Sequence, residues 1–435
     1  MRTLWIVLTL TFLLVLAIVG IVLWSQRPEI AAIDAPQRAA FGNDLIKKGA
    51  SLAALANCDV CHTVPGGPAY AGSRPIPTPF GTIYSTNITP DRDTGIGRWS
   101  EDAFRRAMRE GIARDGHHLY PAFPYDHYVR ISDEDMHALY AFVMTRTPIS
   151  RRSPENALPF PVDQRWALAF WNMLYLDDAP FQADPTQNAE LNRGAYLVEG
   201  LGDCGDCHTP RNLLGAEKRR EPLAGGEAEG WSAPALNESS PAPIPWNAAH
   251  LAAYLRQGWD EEHGAAAGPM QPIVQDLAKP DEADVRAIAT YIAAKMGEPP
   301  AERRQRAEAL LARVRQRTEP AKPNPGEETG AAIFGGACAS CHVGPPAMAS
   351  PHGIDLAFST VISGPDARDA IFIVLDGIHP PVGQPGPWMP GFDGAFTDTQ
   401  IAVLLGYVRA HYGQGPAWGD LEPLVREIRR SKEQS

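Results

Sequence analysis

The stretch Cys58-Asp59-Val60-Cys61-His62 (CDVCH) decides how this chain can fold, because the pattern occurs three times. Two thiols three positions apart can both add to the vinyl groups of one haem, and the adjoining histidine then binds the iron as its proximal ligand. We therefore predict three covalently bound haem c groups. The predicted attachment residues are Cys58, Cys61, Cys204, Cys207, Cys338 and Cys341, and the predicted proximal ligands are His62, His208 and His342.

Paired cysteines also bind zinc, so a zinc site is the alternative to haem. A closed zinc site needs four ligands brought together. Here the pairs lie more than a hundred residues apart, each has its own histidine, and no cysteine remains for a disulfide. The arrangement favours a c-type cytochrome with three haems.

Length and charge limit the other possibilities. A chain of 435 residues is long enough for roughly three domains. The formal net charge of -12 argues against a nucleic-acid partner, which would require a basic surface. No glycine-rich phosphate loop, serine-histidine-acid set or paired-carboxylate site is present. We therefore predict an electron carrier without catalytic residues of its own.

The N-terminus contains a long uncharged stretch, residues 3–24 (TLWIVLTLTFLLVLAIVGIVLW). About 20 apolar residues in a helix span the roughly 30 Å hydrocarbon layer of a membrane. A cleaved signal peptide, the alternative, usually has a shorter apolar region and a cleavage site with small residues. We predict an uncleaved single-pass anchor in the bacterial inner membrane, with the haem domains in the periplasm.

The sequence after this stretch has a threefold repeat. A glycine precedes each motif by eight to ten residues, and a segment with helical spacing of apolar residues follows each motif. Each segment opens with an acidic residue and closes with an aromatic residue. This pattern predicts a first and a last helix that cross at the glycine and the aromatic residue. The glycines are Gly49, Gly194 and Gly330, and the aromatics are Phe142, Tyr291 and Tyr407.

The predicted fold is mainly α, with three tandem class I cytochrome c-like haem domains after one N-terminal transmembrane helix. We place the anchor at residues 1–27 and the haem domains at 40–150, 188–300 and 328–414. The linkers lie at 151–187 and 301–327, and residues 301–316 of the second linker have a charged helical pattern before a proline-rich stretch. The C-terminal tail lies at 415–435; its apolar residues Leu424, Val425 and Ile428 recur at helical spacing, so the tail either docks on a partner or frays. Residues 165–176 (RWALAFWNMLYL) form either a linker helix packed on a haem domain or part of a quinone site, with the linker favoured.

The distal iron ligand should lie in the loop before each last helix. Two such loops contain a methionine between prolines or glycines, Met270 and Met389, and a thioether is the usual distal ligand of cytochromes c. We predict both as distal ligands. The corresponding position of the first domain is Phe123, which cannot bind iron.

Three histidines surround Phe123, namely His117, His118 and His127. We take His127 as the distal ligand of the first domain. His118 or His117 and an open five-coordinate iron remain the alternatives. Met108 and Met136 fall where helices are expected, so we predict them to be core residues.

The chain also resembles a known family. Residues 79–91 (PFGTIYSTNITPD) and 94–100 (TGIGRWS), together with the three motifs and the Gly268-Pro269-Met270 stretch, are similar to trihaem cytochrome c subunits of bacterial membrane-bound dehydrogenases. The resemblance implies electron transfer from a separate catalytic subunit, oxidising an alcohol, sugar acid or aldehyde, to ubiquinone or another carrier.

Phe123, His127 and the 27–30 stretch (RPEI) are more similar to cytochromes that partner molybdenum hydroxylases. That resemblance implies a partner with molybdenum and iron-sulfur centres that oxidises aldehydes or N-heterocycles such as nicotinate. Three alternatives remain open: a haem enzyme that reduces peroxide or a nitrogen oxide at an open first iron, the cytochrome of a quinoprotein alcohol or flavin sugar-acid dehydrogenase, and a subunit of a respiratory oxidase.

Overall fold

The computed structural model describes residues 2–343, 354–380 and 386–433. It is mainly helical and forms two compact units. The first unit comprises Met1–Ala183 with Glu199–Asp203, and the second comprises Asp184–Val198 with Cys204–Ser435. All of the first predicted haem domain lies in the first unit. The second and third predicted domains both lie almost entirely in the second unit.

The first unit contains seven of the described helices and one hairpin. They are α1 (Arg2–Ser25), α2 (Asn43–Leu55), α3 (Cys58–His62), β1 (Pro75–Thr78), β2 (Gly81–Tyr84), α4 (Glu101–Glu110), α5 (Tyr125–Tyr128), α6 (Asp133–Met144) and α7 (Leu168–Tyr175). Strands β1 and β2 are antiparallel, and short 3-10 turns lie at Arg38–Ala40 and Arg165–Ala167.

The remaining described elements are those of the second unit. They are α8 (Ala189–Tyr196), α9 (Cys204–His208), β3 (Gly226–Ala228), β4 (Trp231–Ala233), α10 (Ala248–Gln257), β5 (Trp259–Asp260), β6 (Gly264–Ala265), α11 (Met270–Leu277), α12 (Glu282–Met296), α13 (Ala301–Gln316), α14 (Glu328–Ala337), α15 (Ala339–His342), α16 (Thr360–Ser363), α17 (Arg368–Asp376), α18 (Asp398–Tyr412) and α19 (Leu421–Glu433). Strand β3 pairs antiparallel with β4, and β5 with β6. A π-helical turn occupies Leu197–Leu201, and a 3-10 turn occupies Leu356–Phe358.

The N-terminal anchor is the part of the predicted fold that requires correction. Residues Arg2–Ser25 do form a helix. A membrane-crossing helix must combine a length of about 20 residues with sustained apolarity, and in the described part of the chain no helix satisfies both requirements. The predicted transmembrane helix at 1–27 and the single-pass inner-membrane localisation are therefore wrong. The periplasmic placement rested on that anchor and loses its basis.

The threefold sequence repeat corresponds to three pairs of crossing helices, as the positions of the glycines and the aromatic residues predict. The pairs are α2 with α6, α8 with α12, and α14 with α18. A Cβ added to Gly49, Gly194 or Gly330 would lie only 2.7, 2.6 or 2.9 Å from the Cβ of Phe142, Tyr291 or Tyr407. Real Cβ atoms do not approach so closely, so only glycine lets these backbones touch.

The last helix of each pair begins at the acidic residue that the sequence indicates. Helix α6 starts at Asp133 after Ser132, whose hydroxyl accepts the backbone N–H of Asp135 at 3.2 Å. Helix α18 starts at Asp398 after Thr397, which forms a capping box with Gln400. Such caps satisfy backbone donors that the first turn leaves unpaired, and thereby fix where the helix begins.

Both linker stretches contain a helix, and each helix packs on a predicted haem domain. The Tyr125 hydroxyl of the first unit donates to the Asn172 side chain of α7 at 2.7 Å, and Trp171 packs edge-on against the Tyr125 ring. In the second unit, Leu310 of α13 belongs to a small buried cluster with Ile244 and Phe358. Helix α7, which lies within residues 165–176, therefore packs on Tyr125 of the first unit.

The C-terminal tail also packs on its own chain. Val425 and Ile428 of α19 are 0% and 1% exposed and belong to the same buried cluster as Phe334 of α14 and Tyr407 of α18. The helical spacing of apolar residues in the tail is therefore explained by the core of the third predicted domain.

The hairpin β3–β4 contacts α17 within the second unit. The Ser232 backbone N–H donates to Asp369 Oδ1 at 2.9 Å, and the Trp231 ring stacks on Phe372 with ring centroids 4.8 Å apart. Asp369 is buried, and burial raises the pKa of its carboxyl to about 6, with the nearby Asp366 acting in the same direction.

Asp369→Asn is expected to change how the stability of the second unit depends on pH. The folded state holds a proton on Asp369 more tightly than the unfolded state, whose pKa is about 3.8. The resulting stabilisation is present below about pH 4 and is lost as pH rises to about 6. Asparagine keeps the acceptor oxygen without the charge, so the variant should exceed wild type by up to about 3 kcal/mol at about pH 8.

Urea unfolding at several pH values measures this difference. The exposed Glu298→Gln, which removes one carboxylate charge of the same unit away from Asp369, is the control and should shift the unfolding free energy by no more than about 0.5 kcal/mol. A difference between Asp369→Asn and wild type that is the same at about pH 4 and about pH 8 would contradict the prediction.

Candidate haem sites

Each of the three Cys-x-x-Cys-His motifs forms a short helical turn. The turns are α3, α9 and α15. Residues three and four apart share one face of a helix, so the second cysteine and the histidine lie on the same side as the first cysteine. The six cysteines are half-buried thiols that form no disulfide. The motifs thus present two thiols and one imidazole together, as haem attachment requires.

The residue before the motif has a left-handed backbone in two of the three cases. Asn57 has φ 51° before Cys58, and Asp203 has φ 40° before Cys204. Asparagine and aspartate tolerate this conformation better than other non-glycine residues. They allow the chain to leave the preceding helix and enter the attachment turn at once.

The three predicted proximal histidines share one hydrogen-bonding arrangement. Nδ1 of His62 lies 2.6 Å from the Thr86 carbonyl oxygen, that of His208 lies 2.7 Å from Pro234 O, and that of His342 lies 2.8 Å from Ile354 O. A carbonyl can only accept, so Nδ1 carries the proton, and the Nε2 lone pair points away for a metal. Burial lowers the pKa of all three imidazoles, which favours the neutral form that binds iron.

This donor set fits haem c. Two thiols supply the thioether bonds, and a neutral imidazole of fixed tautomer supplies one axial ligand. When bound, the haem iron supplies one-electron exchange; the protein residues hold the group, orient the imidazole and restrict access of water.

In the first two sites, a hairpin positions the carbonyl that accepts the hydrogen bond from the proximal histidine. The sequence analysis did not predict these hairpins. Thr86 follows β2 by two residues, and Pro234 follows β4 directly. The β3–β4 turn is Glu229-Gly230 with φ values of 52° and 81°, as tight hairpins require. The sequence signal that could have indicated these two hairpins is a glycine at or beside the turn, Gly81 and Gly230, which lie 23 and 26 residues after the first cysteines of their motifs.

A buried amide fixes the loop that carries the Thr86 carbonyl. Asn87 is 3% exposed; its Nδ2 donates to Ile149 O at 2.7 Å, and its Oδ1 accepts the Thr89 backbone N–H at 2.9 Å. Because Asn87 is adjacent to Thr86, these bonds hold the acceptor of His62 in place.

The two predicted distal methionines lie in different local structures. Met270 is the first residue of α11 and follows Gly268, whose φ is +53°. Met389 forms an antiparallel backbone pair with Ile378, with N–H to O distances of 2.8 and 3.0 Å. Met389 and Cys338 both pack against the buried core of the third predicted domain, so the structure brings these two predicted site residues to one core.

In the first domain, Phe123 belongs to an aromatic cluster beside α5. Its ring lies 5.6 Å from that of Tyr128 and 6.3 Å from that of Tyr125. The Tyr128 hydroxyl donates to Ala56 O at 3.3 Å, two residues before Cys58. Helix α5 therefore borders the first attachment motif. Met108 and Met136 are 6% and 0% exposed, which confirms them as core residues.

The three histidines near Phe123 have different partners. Nδ1 of the buried His127 lies 3.0 Å from Glu199 O, the same arrangement as in the proximal histidines. His118 instead directs Nε2 to Ser25 O at 2.9 Å, and its buried Nδ1 has no hydrogen-bonding partner in the described structure. His117 pairs through Nδ1 with Asp115 at 2.6 Å.

The chain is similar to known cytochrome c proteins. A family model described as cytochrome c matches residues 46–147, which include the first motif. The chain is 44% identical over 409 residues to a nicotinate dehydrogenase subunit of Pseudomonas putida; the match covers 93% of this chain but 33% of that relative. The chain thus spans about a third of the length of that protein.

Two further relatives match over most of both chains. The gluconate 2-dehydrogenase cytochrome c subunit of Pantoea cypripedii is 37% identical, with 85% of this chain and 86% of the relative covered. The fructose dehydrogenase cytochrome subunit of Gluconobacter japonicus is 35% identical, with 92% and 85% covered.

Proposed function

Since the chain belongs to the family of cytochrome c subunits of dehydrogenase complexes, we propose that it carries three haem c groups and conducts electrons from a catalytic subunit to ubiquinone or another respiratory carrier. It is an electron-transfer subunit and does not itself oxidise the substrate. The observation that carries the proposal of three haems is the repetition of one proximal arrangement, with Nδ1 on a backbone carbonyl, at His62, His208 and His342.

The proposed partner is a molybdenum hydroxylase with iron-sulfur centres that oxidises an aldehyde or an N-heterocycle. The 44% identity to a chain named for nicotinate dehydrogenase supports this choice. The relatives named for gluconate, fructose and alcohol support a sugar or alcohol dehydrogenase as the second candidate.

The cofactor content of the complex that co-purifies with the tagged native chain tests the proposal. Molybdenum and iron-sulfur in stoichiometric amounts with the cytochrome are expected. Flavin or pyrroloquinoline quinone in their place would select the sugar or alcohol partner. A chain that purifies without any dehydrogenase subunit would overturn the proposed function.

For the distal positions we assign Met270 to the second haem, Met389 to the third and His127 to the first. His127 is supported by its burial and by the Glu199 carbonyl oxygen 3.0 Å from its Nδ1, the same arrangement that the three proximal histidines have. A bis-histidine first haem would have a lower potential than the two methionine-ligated haems, because the thioether raises the potential.

His127→Ala is expected to remove a bis-histidine low-spin signal from the electron paramagnetic resonance spectrum of the oxidised protein. It should also leave one iron without a distal ligand, so that carbon monoxide binds one haem in three after reduction. His118→Ala is the matched control, since His118 is also buried but differently oriented. An unchanged spectrum in a variant that retains its haems, or carbon monoxide binding by the wild type, would contradict the assignment.

A further inference from the structure

The β3–β4 hairpin touches the proximal side of the second site. Pro234, directly after β4, accepts the Nδ1–H of His208 at 2.7 Å. Gly225, directly before β3, donates its backbone N–H to the His208 carbonyl at 2.8 Å. A Cβ at Gly226 would lie 2.8 Å from Thr209 O, so the hairpin packs backbone to backbone against the attachment turn.

The same hairpin touches the loop of the predicted distal ligand. Gly268 has φ +53°, and a Cβ there would lie 2.5 Å from Trp231 Cδ2 and 2.7 Å from Cζ2. The Trp231 ring therefore occupies the space that a side chain at 268 would need, directly against the backbone. Met270 lies two residues farther along the chain, so the ring limits where its side chain can be placed.

The third domain holds the Trp231 ring from its other side. Trp231 stacks on Phe372 of α17 at 4.8 Å with an interplanar angle of 17°. The next residue, Ser232, donates its backbone N–H to the buried Asp369, also on α17. A second contact joins the same regions, because the Gln271 side chain donates to the His379 carbonyl. The loop before α11 is thus held through Trp231 by a helix of the next domain.

We propose that Trp231 is a positioning residue that sets the place of Met270, so that axial ligation of the second haem depends on α17 of the third domain. The inference rests on the proposed function, in which Met270 binds iron. A thioether is a neutral, weakly bound ligand, and a small displacement of its loop suffices to break the bond. Glycine at 268 offers no side chain that could hold the loop in place of the ring.

The test uses the full haem-loaded chain and the thioether-to-iron charge-transfer absorption of the oxidised protein. Two methionine-ligated haems contribute to this band in the wild type. Trp231→Leu is expected to remove about half of the amplitude, as Met270→Ala does. The double variant should lose no more than Met270→Ala alone, because both changes act on one bond. Trp231→Phe, which keeps a ring for stacking, should restore the band.

Two further variants separate positioning from folding and test the role of α17. Phe372→Leu should also reduce the band and lower the potential of one haem. Leu213→Ala, at a 95% exposed position of the same domain, is the matched control and should change neither. Intact mass must show three haems in each variant.

The outcomes distinguish this inference from the proposed function. A full band in Trp231→Leu, with half of it lost in Met270→Ala, would overturn the positioning role and leave the ligand in place. A full band in Met270→Ala would overturn both. Loss of the band in Trp231→Leu but not in Phe372→Leu would overturn the dependence on the third domain.

Discussion

Chains in which Cys338 and Cys341 are both replaced by serine are expected to carry one haem fewer than the wild-type chain. The two thioether bonds are the only covalent links between haem c and protein. Cys338 and Met389 pack against the buried core of the third predicted domain, so loss of the haem also removes a group that would lie beside that core. Denaturing intact-mass analysis measures the change, because only covalently attached haem survives unfolding.

The motif itself provides the control. Ser340 lies between the two cysteines and is exposed, so Ser340→Ala should keep the full haem content. The corresponding double substitutions at Cys204 and Cys207, or at Cys58 and Cys61, should each remove one haem as well. A double variant that keeps the wild-type number of covalently attached haems, or one that loses zinc instead of haem, would refute the assignment.

Gly330→Ala is expected to destabilise the second unit by more than about 3 kcal/mol, although it adds a single methyl group. The new Cβ would lie 2.9 Å from the Tyr407 Cβ and closer still to the Val403 carbonyl oxygen. Both atoms belong to α18, and the Val403 carbonyl is backbone, so relief requires the helices to separate. Tyr407 is 1% exposed and cannot move without opening the core.

Gly406→Ala is the matched control on the partner helix. Gly406 is exposed, and no atom lies within 4 Å of the Cβ position, so alanine should stabilise the helix by about 1 kcal/mol. Urea unfolding of the two variants should therefore shift in opposite directions. Equal stability of Gly330→Ala and wild type would show that the two helices do not cross at this residue.

The helical framework could be predicted from the sequence because its determinants are local or recur at fixed spacing. The acidic starts at Asp133, Glu282 and Asp398 coincide with the observed helix starts. The glycine and aromatic pairs, such as Gly49 with Phe142, meet at the crossings as expected. Helix α13 has the bounds that its charged helical pattern indicates.

Other features could not be predicted from the sequence, because they depend on contacts between segments that are distant along the chain. The carbonyls of Thr86 and Pro234 are backbone groups, which no residue type marks. The contact between Trp231 and Phe372 joins positions more than a hundred residues apart. At the N-terminus, the absence of charge correctly predicted a helix, but the further prediction that this helix spans a membrane was wrong.

Helix α13 has a kinetic consequence, because it is held at both ends. Near its start, Arg303 donates to the carbonyls of Ser240 and Ala242, and after its end Arg317 pairs with Asp355 at 2.9 Å. A flexible tether would let the joined parts sample many separations before they meet. Because α13 is held by contacts at both ends, the parts that it joins do not have to diffuse together before they exchange electrons. Electron exchange between the proposed second and third haems should then be insensitive to solvent viscosity, whereas electron delivery to a separate protein should slow as viscosity rises.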